Sequence, residues 1–227
     1  RLPAGDMGQT IWFLTGNAGK LAEAEAHLSP LGYHVKQLVV DENELYEPQA
    51  TSLEVVAESK INQAMNHLPN EFSSGDMILV EDAGLFISAL DGFPGVYSSY
   101  VHSTIGNAGI IRLLHHLTTE DPVSSASLRA AKFIAVAALW RDGEVILGEG
   151  VCPGHIALQT MEGNGFGFDP IFIPYDLDES LEPLSPGNYG THSTHGKTFG
   201  AVEFEVKHKF SHRTKALQNL FNQLPSA

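Results

Sequence analysis

Cysteine, basic residues and long apolar runs are all scarce in this chain of 227 residues. The single cysteine, Cys152, excludes an internal disulfide and is typical of a reducing compartment, which predicts a cytoplasmic location. The longest apolar run, residues 133–140, is far too short to span a bilayer. Residues 1–10 lack the apolar core of a signal peptide, so the sequence predicts no membrane partner.

Acidic residues outnumber basic ones, with 27 Asp and Glu against 13 Lys and Arg, which gives a net charge of −14. This balance argues against long nucleic acids and anionic membranes as partners. A hydrophobic content of 43% supports a sizeable core. No Pro/Gly/Ser-rich linker and no repeat divides the chain, so residues 1–227 are predicted to form one domain.

Apolar runs and amphipathic stretches alternate along the chain and predict a mixed α/β fold. Strands are predicted at residues 10–14, 34–39, 77–80, 133–140 and 144–149. Helices are predicted at residues 20–28, 109–117 and 211–224. A capping box from Thr51 to Glu54 predicts the start of a further helix.

Two adjacent acidic residues, Glu81 and Asp82, follow the apolar run at residues 77–80. The run is typical of a buried strand, and we expect the acids at the edge where that strand ends and a loop begins. Open α/β sheets bind ligands at such edges, and a carboxylate pair there can hold Mg²⁺ and activate a water. Asp and Gly are also ordinary turn residues, so this segment alone leaves a solvated turn equally open.

The segment T-G-N-A-G-K at residues 15–20 lies between a predicted strand and a predicted helix. A glycine turn before a helix start forms an anion site from backbone N–H groups and the helix dipole, and Lys20 adds a full charge. A Walker loop would need glycine at Leu14 and Ser or Thr at Leu21, so this is a different motif. It predicts a phosphate site, with a plain strand-to-helix turn as the alternative.

Glycines and phenylalanines alternate in the segment G-N-G-F-G-F-D-P at residues 163–170. Glycines allow a ligand to approach the backbone closely, and the aromatic rings of Phe166 and Phe168 can stack on a flat ring. Asp169 can accept a hydrogen bond from such a ring. The alternative is a tight turn filled by core phenylalanines.

Four of the thirteen Lys and Arg residues fall within residues 207–215. A positive cluster on an acidic chain indicates a defined anionic ligand. The alternative is a solvated helix start, because a helical apolar stripe follows at Leu217, Leu220, Phe221 and Leu224. The two interpretations are compatible, since a helix N-terminus is itself an anion site.

Together these segments resemble the motifs of the inosine triphosphate pyrophosphatase family, also called the Ham1 family. The resemblance extends from about Ile11 to Leu220 and keeps the family order of motifs. These motifs are T-G-N-x-x-K at residues 15–20, the acidic motif at 81–85, G-F-P-G-V-Y-S from residue 92, G-F-G-F-D-P at 165–170 and K-x-x-x-S-H-R at 207–213. The resemblance implies an elongated α/β fold with a mixed sheet, two lobes and a central cleft that holds the active site. It also implies a homodimer.

The resemblance further implies hydrolysis of ITP, XTP and their deoxy forms to a monophosphate and pyrophosphate. Asp82 would orient or deprotonate the attacking water, and Glu47 and Asp82 would hold Mg²⁺, with Glu81 as the reserve ligand. Lys60 would face the same site. The other predicted substrate contacts are Thr15, Gly16, Asn17, Lys20, Ala83, Phe166, Gly167, Phe168, Asp169, Lys207, Ser211, His212 and Arg213.

Three positions depart from the usual family pattern. Ala83 replaces the hydroxyl residue that commonly follows the catalytic Asp, and Phe168 replaces Tyr or Trp. Gly200 and Ala201 stand where Ala and Glu are usual. None of these changes removes a charged group expected to do chemistry, so they bear on affinity and substrate preference more than on the reaction.

Residues 176–196 are rich in Pro, Gly, Ser, Asp and Glu and lengthen the usual link between two of the motifs. They are predicted to form a surface loop. His192 and His195 within it have no third clear ligand, so a solvated loop is favoured over a metal site.

Two other functions are considered. A nucleotide-binding regulator without catalysis would need the pocket but not the acidic pair, so the presence of Glu47 and Asp82 argues against it. A Maf-type pyrophosphatase has the same architecture and acts on other nucleotides, and the S-H-R segment at residues 211–213 argues against it.

Overall fold

The structure is a computed structural model that describes residues 8–163 and 165–224. Most of residues 1–10, where we expect no signal peptide, and Asn164 of the glycine-rich motif lie outside these ranges. Within them the strands are β1 (Thr10–Leu14), β2 (His34–Leu38), β3 (Met77–Ile87), β4 (Pro94–Gly95), β5 (Ala130–Arg141), β6 (Glu144–Ile156) and β7 (Phe172–Pro174). The α-helices are α1 (Ala18–Leu28), α2 (Leu53–Ala64), α3 (Ser98–Thr104), α4 (Gly106–Leu113), α5 (Pro122–Leu128), α6 (Phe204–Phe210) and α7 (His212–Phe221).

All of these strands belong to one mixed sheet with the order β2-β1-β3-β5-β6-β7, and β4 pairs with β3. β1 runs parallel to β2 and β3, with Ile11 opposite both Val35 and Met77. β4 runs antiparallel to β3, and β7 antiparallel to β6. Parallel neighbours need long crossover connections, which α1 and α2 provide. The mixed α/β fold predicted from the sequence is confirmed.

The chain divides into two compact units, each with its own apolar core. The first unit comprises residues 1–83, 135–150 and 212–227, and the second comprises residues 84–134 and 151–211. The first core includes Ile11, Phe13, Leu79, Leu217 and Phe221. The second core includes Leu85, Ile110, Phe133, Phe172 and Phe210. The organisation of residues 1–227 as a single domain stays a prediction.

β3 runs without interruption through Glu81 and Asp82 and ends only at Ile87. The predicted strand-to-loop edge at the acid pair is therefore wrong. Gly84 shows why the strand can continue, because a Cβ at this position would overlap the carbonyl oxygen of Gly95 in β4. Gly84 therefore allows β3 and β4 to approach closely, and it does not mark a turn.

The first turn of α2 corrects the predicted capping box by one residue. Ser52, not Thr51, is the N-cap, since the Ser52 hydroxyl accepts a hydrogen bond from the N–H of Val55. The apolar spacing of the sequence predicts an inner face of Leu53, Val56, Ala57, Ile61, Ala64 and Leu68. The first five are buried, whereas Leu68 lies beyond the end of α2 and is 40% exposed. A cap shifted by one residue leaves the helix phase unchanged, because the apolar spacing decides which face packs on the core.

The helix predicted over residues 211–224 is found as α7, which begins one residue later and ends three residues earlier. A further helix, α6, precedes Ser211 and was not predicted. Lys207 therefore belongs to a different helix from Arg213. α4 starts three residues before the predicted helix at residues 109–117. No helix within the described ranges is long and apolar enough to cross a membrane.

Residues 176–196 form the predicted loop, with isolated bridges from Leu177 to Pro183 and His192. Asp176 holds this loop together from one end. Its carboxylate accepts hydrogen bonds from the Gly190 N–H at 3.1 Å and the Ser193 hydroxyl at 2.7 Å. Cys152, predicted to be a buried thiol, lies in β6 with 1% of its surface exposed.

Candidate active site

Charged side chains gather around Glu81 and Asp82 on β3 in the first unit. Both carboxylates are buried. Lys20, in the first turn of α1, lies 3.1 Å from a Glu81 carboxylate oxygen and donates to the Glu81 carbonyl oxygen at 3.1 Å. The turn after β1 thus places its lysine directly against the acid pair. We call the set Glu23, Glu47, Glu81, Asp82, Lys20, Lys60 and Arg213 the β3 acid cluster.

Lys60 connects the two residues predicted to hold Mg²⁺. Its ammonium lies 2.7 Å from the Asp82 carboxylate and 2.5 Å from the Glu47 carboxylate. Lys60 lies in the second half of α2, one residue before Ile61, whose side chain is fully buried. The sequence placed Lys60 at this site, and the structure adds that a single cation bridges Glu47 and Asp82.

Arg213 pairs with two carboxylates of the first unit. Its Nε donates to Glu81 at 3.3 Å, and its Nη1 donates to Glu23 at 3.5 Å. Sequence reasoning listed Arg213 among the substrate contacts and missed Glu23 altogether. A usable signal existed, because Glu23 follows Lys20 by three residues and so shares its face of α1.

The cluster shifts the proton affinity of its carboxylates in opposite directions. Burial raises the pKa of Glu81, but the charges of Lys20 and Arg213 outweigh burial and leave this pKa below its ordinary value. Burial raises the pKa of Asp82, and the Lys60 charge offsets only part of the rise. Glu81 is therefore held ionised, while Asp82 binds a proton more readily than a free aspartate. A carboxylate with a raised pKa, such as that of Asp82, is suited to exchange a proton with water.

The lysine that bridges the carboxylates is itself stabilised in its charged form. Burial lowers the pKa of Lys60, but the charges of Asp82 and Glu47 and their hydrogen bonds more than compensate. The net effect is a pKa above the ordinary value. Lys60 therefore stays a cation between two anions.

The predicted phosphate loop at residues 15–20 is held by its own side chains. Asn17 caps α1 by accepting hydrogen bonds from the N–H groups of Gly19 and Lys20 at 2.9 and 3.2 Å. The Thr15 hydroxyl accepts from the Asn17 N–H at 3.1 Å. Gly16 is exposed. A phosphate oxygen bound at the helix start would replace the Asn17 side chain as the acceptor of these N–H groups.

A second cluster lies in the second unit around Asp169. Its carboxylate accepts a hydrogen bond from Lys207 at 2.8 Å and another from the Phe166 N–H at 3.1 Å. Asp169 is 2% exposed and Lys207 7% exposed. The Lys207 ammonium also lies 4.6 Å from the centroid of the Phe166 ring. Asp169 thus closes the glycine-rich turn and neutralises the lysine of α6.

The two phenylalanines of this turn have different environments. Phe168 is 4% exposed and belongs to the second core. The His102 ring meets it edge-on, with the centroids 5.2 Å apart. Phe166 is only partly buried. Phe168 is therefore a core phenylalanine that forms a wall of the turn, whereas Phe166 is the less buried of the two rings.

The remaining predicted site residues divide between the units. Ala83 packs against the first core, and Gly167 occupies the left-handed region at φ +60°. Ser211 belongs to the second unit and His212 to the first, and both are buried. Across the described part of the chain, no three His, Cys, Asp or Glu side chains are grouped as a metal site. Glu47 and Asp82 thus form a carboxylate pair, which suits an ion that keeps several waters.

Known proteins with the same motifs cover nearly the whole chain. The model of the Ham1 family matches residues 11–223. The dITP/XTP pyrophosphatase of Thermococcus kodakarensis is 38% identical over 93% of this chain and 95% of its own length. That of Pyrococcus horikoshii is 37% identical over 94% and 96%. The solved structure of the Staphylococcus aureus Ham1 protein has a TM-score of 0.65 at 25% identity, covering 94% of this chain and 97% of its own.

Proposed function

The chain belongs to the Ham1 family, and from this premise we propose that it is a nucleoside triphosphate pyrophosphatase. Its substrates are ITP, XTP and their deoxy forms, and its products are the monophosphate and pyrophosphate. The β3 acid cluster carries the proposal, because it combines two cations that can bind phosphates with a buried carboxylate that can take a proton from water. This activity would remove deaminated purines from the nucleotide pool.

Hydrolysis at the α-phosphorus asks this chain mainly for positioning and charge neutralisation. Lys20 and Lys60 are the two cations proposed to bind the phosphates, whose oxygens would take the place of their present carboxylate partners. The loop residues Thr15, Gly16 and Asn17 offer backbone N–H groups for the same purpose. Asp82 orients the attacking water and accepts its proton.

The carboxylates of Glu47 and Asp82 fit Mg²⁺ in their chemistry. The Lys60 ammonium already bridges them, so a cation between these side chains is electrostatically favoured. Glu81 is the reserve ligand, since its Oε1 is buried and has no hydrogen-bond partner among the described residues. When bound, Mg²⁺ would neutralise phosphate oxygens and make a coordinated water more acidic.

The substitution Glu47→Gln tests this assignment. We expect it to raise the Mg²⁺ concentration for half-maximal activity by about 10- to 100-fold, because one charged ligand becomes a neutral amide. The rate at saturating Mg²⁺ should change little. The measurement is pyrophosphate release across a Mg²⁺ titration, with Glu58→Gln, an exposed glutamate of α2, as the control. An unchanged Mg²⁺ requirement in Glu47→Gln would remove Glu47 from the metal site.

The products of ITP hydrolysis test the reaction itself. We expect inosine monophosphate and pyrophosphate, and no orthophosphate, in a reaction that stops when Mg²⁺ is chelated. Orthophosphate together with a diphosphate product would mean attack at the γ-phosphorus and would overturn the proposal. Binding of ITP without turnover would instead favour a nucleotide-binding regulator.

Base preference gives a second measurable consequence. Hypoxanthine and xanthine carry a 6-keto oxygen where adenine carries an amino group, and the proposed donors, His212, Arg213 and backbone N–H groups, can pair only with the oxygen. A buried donor left unpaired costs about 1–3 kcal/mol. We therefore expect kcat/KM for ITP to exceed that for ATP at least about 10²-fold. Equal values for the two substrates would refute base reading by hydrogen-bond donors.

A homodimer and a cytoplasmic location complete the proposal. Both rest on the family resemblance, and the location also rests on the single cysteine. Light scattering coupled to size-exclusion chromatography measures the oligomeric state. A mass of two chains is the expected result.

A further inference from the structure

The turn at residues 166–169 is held from outside by a residue that the family motifs do not contain. Within the turn, the Asp169 N–H donates to the Phe166 carbonyl oxygen at 3.1 Å, and the Phe166 N–H donates to the Asp169 carboxylate. Both bonds join the two ends of the turn. The peptide at its tip, which follows Gly167, is bound by neither of them.

Asn107 in the first turn of α4 holds that tip. Its side-chain amide donates a hydrogen bond to the Gly167 carbonyl oxygen at 3.1 Å, across 60 residues of sequence. Gly167 has φ +60°, a conformation that only glycine adopts without cost, so its peptide depends on a partner for its orientation. Asn107 fixes which way this peptide faces.

The Asn107 side chain is held through its donor end. Its Oδ1 is buried and has no hydrogen-bond partner among the described residues. The bond to the Gly167 carbonyl oxygen therefore couples the orientation of the Asn107 amide to that of the Gly167 peptide.

We propose that Asn107 is a positioning residue for recognition of the purine base. This inference rests on the proposed function, in which the turn at residues 166–169 contacts the base. Through the Gly167 peptide, Asn107 sets the backbone donors of the turn and the angle of the partly buried Phe166 ring. His102 supports the same turn on the adjacent helix, α3, through its contact with Phe168. No proton or electron moves in this role.

Removal of the amide donor tests the role. We expect Asn107→Ala and Asn107→Asp each to raise KM for ITP and to lower the ITP-to-ATP ratio of kcat/KM by about tenfold, the change expected for one lost hydrogen bond. The kcat value should stay within about twofold, because the phosphate and water contacts are untouched. Asn107→Gln keeps an amide donor and should restore part of the ratio.

Asn66→Ala is the matched control, because the Asn66 side chain also donates to a backbone carbonyl, that of Asn62 in α2, at 3.3 Å. It should leave the ratio unchanged. The ratio compares two substrates on one sample, so it does not depend on the fraction of a variant that is folded. An unchanged ratio in Asn107→Ala and Asn107→Asp would overturn the inference.

If the proposed function itself is wrong, the experiment gives a different result. In that case the unmutated protein would release no pyrophosphate from ITP. Isothermal titration of inosine monophosphate then gives an independent reading, since Asn107→Ala should still weaken its binding about tenfold relative to the unmutated protein. Equal binding of inosine monophosphate by both proteins would contradict the role of Asn107 without reference to turnover.

Discussion

Asp82→Asn is expected to lower kcat/KM for ITP by about 10³-fold or more, the range that loss of a general base produces. The amide keeps the shape of the side chain but cannot accept the proton of the attacking water, and Lys60 loses a charged partner 2.7 Å away. The fold should persist, because burial already disfavours the charged form of Asp82 and raises its pKa. Pyrophosphate release at saturating Mg²⁺ and the free energy of unfolding in urea measure the two effects.

Asp142→Asn is the matched control for this substitution. Asp142 belongs to the same unit, and its only described ion pair is a surface contact with Arg141 at 3.5 Å. Asp142→Asn should leave both pyrophosphate release and the free energy of unfolding unchanged. Near-normal turnover in Asp82→Asn would transfer activation of water to another group. Glu81 would then be tested first, since its Oε1 is buried beside Asp82 on the same strand.

The acid pair shows what sequence patterns can and cannot predict. The motif identified Glu81 and Asp82, but the pattern placed them at the end of a strand because two carboxylates and a glycine are typical of a turn. The structure keeps them in β3 because lysine and arginine side chains from α1, α2 and α7 neutralise them. A local pattern carries no information about such long-range charge pairs.

The roles of individual charges were harder to predict than their presence. Lys60 was placed at the site by family resemblance, yet its bridge between Glu47 and Asp82 depends on how α2 packs on the sheet. Arg213 was predicted to contact the substrate, and its ion pairs with Glu81 and Glu23 were not predicted. A motif fixes residue identity, whereas partners are set by tertiary packing.

Helices and strands were predicted well where apolar periodicity was strong. β1 and β2 agree with the prediction to within one residue. β1 is a buried strand and leaves a continuous apolar run, whereas the mostly exposed β2 is marked by the apolar residues Val35 and Leu38. The helix predicted over residues 211–224 is confirmed as α7, from His212 to Phe221. The short helix α6 before it was missed, because the apolar stripe that marked a helix begins only at Leu217.

The pair of Lys207 and Asp169 gives the largest expected effect on stability. We expect Lys207→Met to lower the free energy of unfolding by about 3–5 kcal/mol, because it leaves the Asp169 charge buried and uncompensated. Methionine keeps the length of the side chain, so the loss reflects charge more than packing. The measurement is urea denaturation, and Lys209→Met, an exposed lysine of the same helix, is the control and should have little effect.

The double variant Lys207→Met/Asp169→Asn separates pairing from packing. Asparagine keeps an oxygen that can accept the hydrogen bond of the Phe166 N–H, now made to Asp169 at 3.1 Å, and removes the charge that Lys207 neutralises. If the charge is the cause, the double variant should be more stable than Lys207→Met alone and should recover roughly 1–3 kcal/mol of the loss. Additive losses would show that each side chain stabilises the second unit independently. In that case Asp169 would matter for the shape of the turn and not for holding the lysine of α6.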